Sequence, residues 1–231
     1  MKGIRKLLPW LCFLGMAACI LVMTFLPGMV RYYTLLLFGA AGCCVAALLL
    51  AFENRRPSPR ALMPVMVLVG TASVGRVVFA FLPQVQPVTV LVLCAGISLG
   101  PVQGFATGAL SAVVSNLALG MGPWTLWQML GWGVIGLLGG ALGKLRLRQK
   151  WLVCAAALAS GFLYGWIVDI WTVAFYGEGI TLELFLTVYS AATLFNLIHS
   201  AGNLAFALLL YPTVCKKLDR VVEKYGLKSK S

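Results

Sequence analysis

Three ionisable side chains lie inside long apolar segments of this sequence: Arg76, Asp169 and His199. An ionisable group is costly to bury in a bilayer, so each of them marks a candidate site with a partner to be found. An arginine can hold a carboxylate or a phosphate in bidentate geometry, whereas Asp169 or His199 could act as a proton relay. A structural Arg76–Asp169 ion pair, or an arginine that reaches the outer headgroups, would explain the same residues without a ligand.

Uncharged polar side chains at helical spacing extend this set. Asn196, His199, Ser200 and Asn203 recur at i, i+3, i+4 and i+7, so they form one polar face along about two turns of helix. Such a face should point into a helix bundle. There it either lines a pocket or makes interhelical hydrogen bonds, and the hydrogen bonds are the simpler explanation for Asn203.

The depth of each ionisable residue follows from its distance along its segment. At about 1.5 Å per residue, Arg76 and Asp169 fall in the outer half of the membrane, and His199 lies about 22 Å from the outer end of its segment. Glutamines and aromatic residues near the predicted outside turns suggest one pocket open to the outside, although an aromatic belt would also explain the rings. The predicted substrate-binding residues are Arg76, Gln84, Gln86, Asn116, Trp124, Gln128, Trp132, Tyr164, Asp169, Asn196 and His199.

Apolar segments of about 20 residues recur along the chain, in which 61% of residues are hydrophobic and 10% are charged. A segment of this length can cross the ~30 Å hydrocarbon core of a bilayer as a helix. Proline ends helices and glycine closes them, and one or the other stands at nearly every junction. The sequence therefore predicts an all-α polytopic membrane helix bundle. Its eight predicted spans are Leu7–Leu26, Tyr33–Phe52, Ala61–Pro83, a short Pro87–Gly100, Pro101–Gly120, Thr125–Gly143, Trp151–Tyr176 and Leu184–Tyr211.

The basic residues predict the orientation of the bundle. Sixteen of the 18 Lys and Arg residues fall in four stretches on one side, whereas Arg31 lies on the other side and Arg76 within a span. The positive-inside rule then places both termini in the cytoplasm, and the expected location is the plasma membrane of a prokaryote. Anionic lipid, rather than nucleic acid, explains the net charge of +12. The four stretches carry Lys2, Arg5 and Lys6; Arg55, Arg56 and Arg60; Lys144, Arg146, Arg148 and Lys150; and Lys216, Lys217, Arg220, Lys224, Lys228 and Lys230.

Several kinds of chemistry lack their residues in this sequence. The seven cysteines lie almost entirely in apolar spans without C-x-x-C spacing, which is typical of packing residues rather than of disulfides or a zinc site. One histidine, one aspartate within a span and no H-E-x-x-H motif argue against an enzyme. No G-x-x-x-x-G-K-[ST] motif is present, so any ATP would be used by other subunits and no cofactor is expected in this chain.

The segmentation predicts three regions. Residues 1–60 hold two additional N-terminal transmembrane helices, residues 61–214 a six-helix core, and residues 215–231 a basic cytoplasmic tail. The first apolar run is longer than a usual signal-peptide core, which favours a retained anchor helix. Within the core, Gly100, Gly104 and Gly108 fall four residues apart, a spacing at which membrane helices pack closely.

Short motifs in the core region are similar to those of one family of membrane proteins. They are the arginine at position 76 before the outside proline, Gln86-Pro87, Gly100-Pro101-x-x-Gly104-Phe105, Ser115-Asn116, Gly122-Pro123-Trp124-Thr125-x-Trp127-Gln128-Met129 and Trp132-Gly133-x-Ile135-Gly136. From Ala61 to Tyr211 the chain resembles the substrate-binding S components of energy-coupling factor (ECF) vitamin transporters.

The resemblance implies a subunit that takes a vitamin or related small molecule from outside, in a cavity near the outer surface. It also implies a membrane scaffold subunit and two ATPase subunits as partners. Aromatic rings could stack on a flat ligand, and Arg76 could meet a carboxylate or phosphate. Cobalamin, pyridoxine, riboflavin and pantothenate have such features, and a bulky cobalamin-like ligand is slightly favoured.

Two other functions fit the same sequence. A stand-alone proton-coupled transporter would use Asp169 or His199 as its relay. A purely structural membrane subunit would explain the packing glycines, but it would leave the buried polarity of Arg76 and Asn116 without a purpose.

Overall fold

The computed structural model describes residues 11–12, 14–15, 18–19, 32–54, 59–176 and 181–226. These residues form an all-α protein, and those described between 11 and 19 are helical as well. The remainder of the predicted span Leu7–Leu26 lies outside the described residues. The seven helices are α1 (Tyr33–Asn54), α2 (Pro59–Val78), α3 (Val88–Leu99), α4 (Pro101–Leu119), α5 (Trp124–Lys144), α6 (Lys150–Tyr176) and α7 (Leu182–Lys224).

Five of these helices are long and apolar enough to cross a membrane: α2, α4, α5, α6 and α7. The prediction of a multi-pass helical membrane protein is therefore confirmed. The short predicted span Pro87–Gly100 corresponds to α3, which has 12 residues and is only about 18 Å long, less than the hydrocarbon thickness of a bilayer. Every residue from Val88 to Ile97 is buried, so α3 lies in the core of the bundle and is surrounded by the longer helices.

A single residue separates α3 from α4. Gly100 has a φ of 106°, a left-handed conformation that a residue with a Cβ rarely adopts, and its N–H donates to the carbonyl of Gly96. Pro101 then occupies the first position of α4, where its missing N–H costs no helical hydrogen bond. The two helices therefore reverse direction without a loop.

Glycines bring the backbones of α4 and α5 into contact. A Cβ added at Gly104 would overlap the backbone of Gly136, and one added at Gly136 would overlap that of Gly104. Gly108 faces the backbone of Trp132 in the same way. The predicted close packing is confirmed for Gly104 and Gly108, whereas Gly100 belongs to the turn.

The last helix, α7, is much longer than the predicted span. It has 43 residues and begins at a Thr181 cap, whose hydroxyl accepts from the N–H of Leu184. The predicted span ends at Tyr211, but the helix continues through Pro212 to Lys224. At about 1.5 Å per residue its length is about 64 Å, roughly twice the hydrocarbon thickness. The first part of the predicted tail therefore extends α7 beyond the membrane.

The helix that precedes the predicted core, α1, packs against α5 and α6. Its Phe38 makes edge-on ring contacts with Trp127 of α5 at 6.0 Å and with Trp171 of α6 at 5.8 Å. Farther along α1, Val45 packs against Phe105 of α4. The second N-terminal helix is thus joined to the core by aromatic and aliphatic contacts.

Candidate functional site

Arg76, in the last turn of α2, turns its guanidinium into the bundle. Its Nε donates to Oε1 of Gln86 at 3.1 Å, and its Nη1 donates to Oγ of Ser115 and to Oδ1 of Asn116, each at 2.6 Å. These partners come from the turn between α2 and α3 and from α4. The side chain of Arg76 therefore bonds within the bundle and does not reach toward the lipid headgroups.

Asn116 links the guanidinium to the next helix. Its Nδ2 donates to Oγ1 of Thr125 at 2.8 Å and to Oε1 of Gln128 at 2.7 Å, both in the first turns of α5. Thr125 in turn accepts from the N–H of Gly122, at the start of that helix. The amide of Asn116 is therefore held in one orientation, with its oxygen facing the positive charge. We call the six joined residues the Arg76 cluster: Arg76, Gln86, Ser115, Asn116, Thr125 and Gln128.

All of the partners of Arg76 in this cluster are uncharged. Asp169, the carboxylate considered as its partner, instead accepts from Nδ2 of Asn196 at 3.1 Å, and no Arg76–Asp169 ion pair forms in the described structure. A guanidinium has five N–H donors, and the bonds described use only Nε and Nη1. Nη2 and its two donors have no hydrogen-bond partner among the described residues. The cluster therefore keeps an unneutralised positive charge and free donors.

Two aromatic rings lie beside the guanidinium. The Arg76 Cζ lies 4.9 Å from the ring centroid of Trp132, and Tyr164 stacks on that indole with centroids 4.6 Å apart and an interplanar angle of 24°. Trp132 is 0% exposed and Tyr164 6% exposed. The protein covers both side chains, so neither ring presents an open face in this structure, and stacking on a ligand stays a prediction. The rings contact Arg76 directly or through each other.

His199 is part of a chain of hydrogen bonds with a single consistent direction. Trp132 Nε1 can only donate, and it lies 3.2 Å from Oγ1 of Thr89. That hydroxyl lies 3.1 Å from Nε2 of His199, and Nδ1 of His199 lies 2.8 Å from the carbonyl oxygen of Gln84. A carbonyl can only accept, so Nδ1 carries a proton, and in the neutral imidazole Nε2 then accepts from the Thr89 hydroxyl. The geometry fits a neutral imidazole with both nitrogens satisfied.

The turn between α2 and α3 lies deep beside α7. His199 is 17 residues from the start of α7 at Leu182, or about 25 Å along the helix, yet it meets Gln84 in this turn. Two contacts farther along α7 agree: a Cβ at Gly202 would be 3.5 Å from Val85, and Phe79 meets Phe206 with centroids 5.2 Å apart. If all helices ended at one level, this distance would separate His199 from the turn between α2 and α3. The structure joins them because the N-terminal end of α7 extends past that turn.

The structure separates some of the predicted residues from this cluster. Asp169 and Asn196 bond to each other, and Gly165 makes room for the Asn196 amide. Trp124 is 38% exposed and lies 6.3 Å from Trp171, at the outer end of α5. The residues brought together by hydrogen bonds or ring contacts are Arg76, Gln86, Asn116, Gln128, Trp132, Tyr164 and His199, with Gln84 contributing its backbone oxygen.

Three residues that complete the hydrogen bonds were missed as site residues from the sequence. Ser115 and Thr125 stand in quoted motifs, next to Asn116 and Trp124, and hydroxyls beside a buried amide are the signal that could have found them. Thr89 offers no such signal, because it is one threonine in an otherwise apolar run. Only the approach of Trp132 and His199 from two other helices reveals its position.

The described residues hold no group of three or more His, Cys, Asp or Glu side chains that could bind a metal ion.

One serine lies in a pattern that is typical of hydrolases: Gly96-Ile97-Ser98-Leu99-Gly100 matches G-x-S-x-G. In a hydrolase this pattern forms a sharp strand-to-helix turn with a histidine nearby. Here it ends a helix, and the chain's one histidine is bonded to Thr89 and Gln84. The pattern therefore carries no catalytic geometry.

Comparison of the chain with protein families, with curated proteins and with solved structures finds no match.

Proposed function

We propose that this chain is the substrate-binding subunit of an ECF-type ABC importer, which captures a vitamin or related small molecule at the outer side of the membrane. The observation that carries the proposal is the Arg76 cluster. Its guanidinium faces the bundle interior among uncharged amides and hydroxyls, and no carboxylate of the described residues neutralises it. The hydrogen bonds of the cluster hold the guanidinium in place, but an ion without a counter-charge is costly in this setting, which favours a binding role over a purely structural one.

The unneutralised charge also indicates the kind of ligand. A carboxylate or phosphate at Nη2 would pair with the charge and use the two remaining donors. Such a group is present in several vitamins, and a bulky, cobalamin-like compound with its phosphate is the first to test. The buried rings of Trp132 and Tyr164 would orient the arginine, while Trp124 at the outer end of α5 remains available for contact with a larger ligand.

The partners follow from the resemblance. A membrane scaffold subunit and two ATPase subunits would bind this chain, and those ATPases would use the ATP that drives release of the ligand. The chain itself would carry out no reaction.

Ligand screening by thermal unfolding tests the proposal. The chain is purified in detergent and heated with each of a panel of vitamins and with their neutral analogues. A ligand at 100 times its dissociation constant should stabilise the folded protein by about 2.7 kcal/mol. We expect an anionic vitamin to do so, and its neutral analogue to do so much less.

Two variants show whether the response comes from the Arg76 cluster. Arg76→Gln should abolish the stabilisation by ligand, whereas Arg148→Gln, at the opposite end of the bundle, should retain it. A wild-type protein that responds to no vitamin, or an Arg76→Gln protein that responds like the wild type, would refute the proposed binding role. Copurification of the chain with an ATPase pair then tests the assignment to an importer.

The alternative, a stand-alone proton-coupled transporter that uses Asp169 and His199, has one observation in its favour. Asp169 has an amide partner and no basic one in the described structure. His199 fits this role less well, because both of its ring nitrogens are satisfied in the neutral form. Uptake by the chain alone into proteoliposomes, abolished by a protonophore and independent of ATP, would favour this alternative.

A further inference from the structure

A groove of about 420 Å³ lies beside α7, at the end of the bundle opposite to the Arg76 cluster. The positive-inside orientation makes this the cytoplasmic end. The groove follows one stripe of α7 and is bounded by Arg148 from the turn between α5 and α6. Its lining residues are Arg148, Tyr211, Pro212, Cys215, Lys216, Asp219, Arg220 and Glu223.

Arg148 forms a fixed wall of this groove. Its Nη1 donates to Oδ2 of Asp219 at 2.9 Å, and its Nη2 donates to the carbonyl oxygen of Ile97 at 2.6 Å. Its own carbonyl accepts from the Tyr211 hydroxyl. The positive charge of Arg148 is thus neutralised, and the residue joins the end of α3 to α7. This side chain holds the groove open rather than supplying a free charge.

Lys216 and Arg220 supply the free charges. They lie four residues apart on α7, so their side chains are neighbours on the helix surface, where like charges repel. Neither forms an ion pair within the described part of the chain, and Asp219, the acidic residue between them, is bonded to Arg148. Glu223 is the other acidic side chain of the lining. An anion placed between Lys216 and Arg220 would relieve their repulsion.

The same side of α7 is apolar on the membrane side of this pair. Leu208, Pro212, Lys216 and Arg220 fall four residues apart, and all four are exposed. The apolar span ends at Tyr211, so Lys216 and Arg220 lie one to three turns beyond it. That level is where lipid headgroups meet a helix, and basic pockets on the cytoplasmic side of helix bundles bind anionic headgroups. A ligand here meets two cations at one end and hydrocarbon at the other.

We propose that this groove binds the headgroup of an anionic phospholipid from the cytoplasmic leaflet. The phosphate lies between Lys216 and Arg220, and an acyl chain runs along Leu208 and Pro212. A free phosphate ester shares the charged half of this chemistry. The continuous exposed stripe from leucine to arginine favours the lipid, because a free phosphate would leave the apolar half unused.

Lipid titration of the purified full-length chain tests the site. The chain is prepared in a neutral detergent and titrated with phosphatidylglycerol, with phosphatidylcholine and with glycerol 3-phosphate, and binding is measured by native mass spectrometry and by thermal unfolding. We expect phosphatidylglycerol to bind and to raise the unfolding temperature. Lys216→Gln/Arg220→Gln removes both cations that would hold the phosphate, so this variant should bind phosphatidylglycerol more than tenfold more weakly.

A matched variant separates the groove from the general charge of the helix. Lys217→Gln/Lys224→Gln removes the same charge from the same helix at exposed positions outside the groove, and it should bind phosphatidylglycerol like the wild type. Three outcomes overturn the proposal: equal loss in both variants, equal binding of phosphatidylcholine, or equal stabilisation by glycerol 3-phosphate. All of these readouts are independent of the vitamin response, so either proposal can fail alone.

Discussion

Arg76 and Asn116 face each other across α2 and α4, with Nη1 of the arginine 2.6 Å from Oδ1 of the asparagine. The amide nitrogen of Asn116 is used at the same time, because it donates to Thr125 and Gln128 of α5. One neutral side chain of α4 thus fixes the guanidinium of α2 and also bonds to α5. Position 116 is therefore where the charge of the site can be changed with the least change in shape.

Asn116→Asp should separate ligand binding from stability. The new carboxylate can still accept from Arg76, and it neutralises the guanidinium. An anionic ligand would then have to compete with this carboxylate for the positive charge. The Thr125 hydroxyl can turn to donate to the new carboxylate. We expect affinity for an anionic ligand to fall more than tenfold, at a cost in unfolding free energy of about 1 kcal/mol. Titration calorimetry and thermal unfolding of the same preparation measure both quantities.

Asn116→Ala should reduce the unfolding free energy much more than Asn116→Asp does. It removes the partner of Arg76, Thr125 and Gln128 together, and each unsatisfied buried group costs about 1–3 kcal/mol. Leu117→Ala is the control, because Leu117 is adjacent and 71% exposed. If Asn116→Asp bound an anionic ligand as tightly as the wild type, the guanidinium would not be the part of the site that recognises charge.

The contact between α4 and α5 predicts a strong effect of a single methyl group. A Cβ at Gly136 would overlap the backbone of Gly104, which cannot turn aside as a flexible side chain can. We expect Gly136→Ala to cost about 1–3 kcal/mol of unfolding free energy, in the range of overpacked cores. Thermal unfolding in detergent measures the loss.

Gly70→Ala provides the matched control for that substitution. Gly70 lies inside α2 with no atom within 4 Å of an added Cβ, so alanine there should be neutral or slightly stabilising. Equal losses at both glycines would mean that helix propensity, rather than the contact between α4 and α5, sets the cost.

The sequence was sufficient for the all-α, multi-pass class of the protein and for the five long apolar helices, because apolar length acts over whole segments. It also identified Arg76, Asn116 and Gln128 as candidate site residues, and the structure joins these residues from three different helices by hydrogen bonds. The burial of α3 was not accessible in this way. The sequence marked Pro87–Gly100 as short, but apolar composition alone cannot show that longer helices surround it, as they do in the structure.

The depth of His199 shows a second limit of sequence reasoning. Distance along one helix gives depth only if neighbouring helices end at the same level. Here α7 extends past the turn that carries Gln84, so a residue about 25 Å from the outer end of α7 contacts that turn. Thr89 shows a third limit, since its role depends on two partners distant in sequence, Trp132 and His199.

Fusion proteins should confirm the orientation inferred from the basic residues. We expect green fluorescent protein after Ser231 to fluoresce and alkaline phosphatase at the same place to be inactive, because both report a cytoplasmic position in a bacterial host. Alkaline phosphatase inserted after Gln84 should be active. The opposite pattern would place the Arg76 cluster at the cytoplasmic side and would contradict capture of a ligand from outside.

Thr89→Val should destabilise the bundle by removing the centre of a hydrogen-bond chain. Valine has nearly the shape of threonine, but it leaves Nε1 of Trp132 and Nε2 of His199 without their shared partner in a fully buried position. Each orphaned group costs about 1–3 kcal/mol, so a loss of several kcal/mol in unfolding free energy is expected. Thr89→Ser retains the hydroxyl and should lose much less, since only a methyl group is removed. If valine and serine cost the same in thermal unfolding, packing around Thr89 would matter and its hydroxyl would not, and the neutral state assigned to His199 would lose its main support.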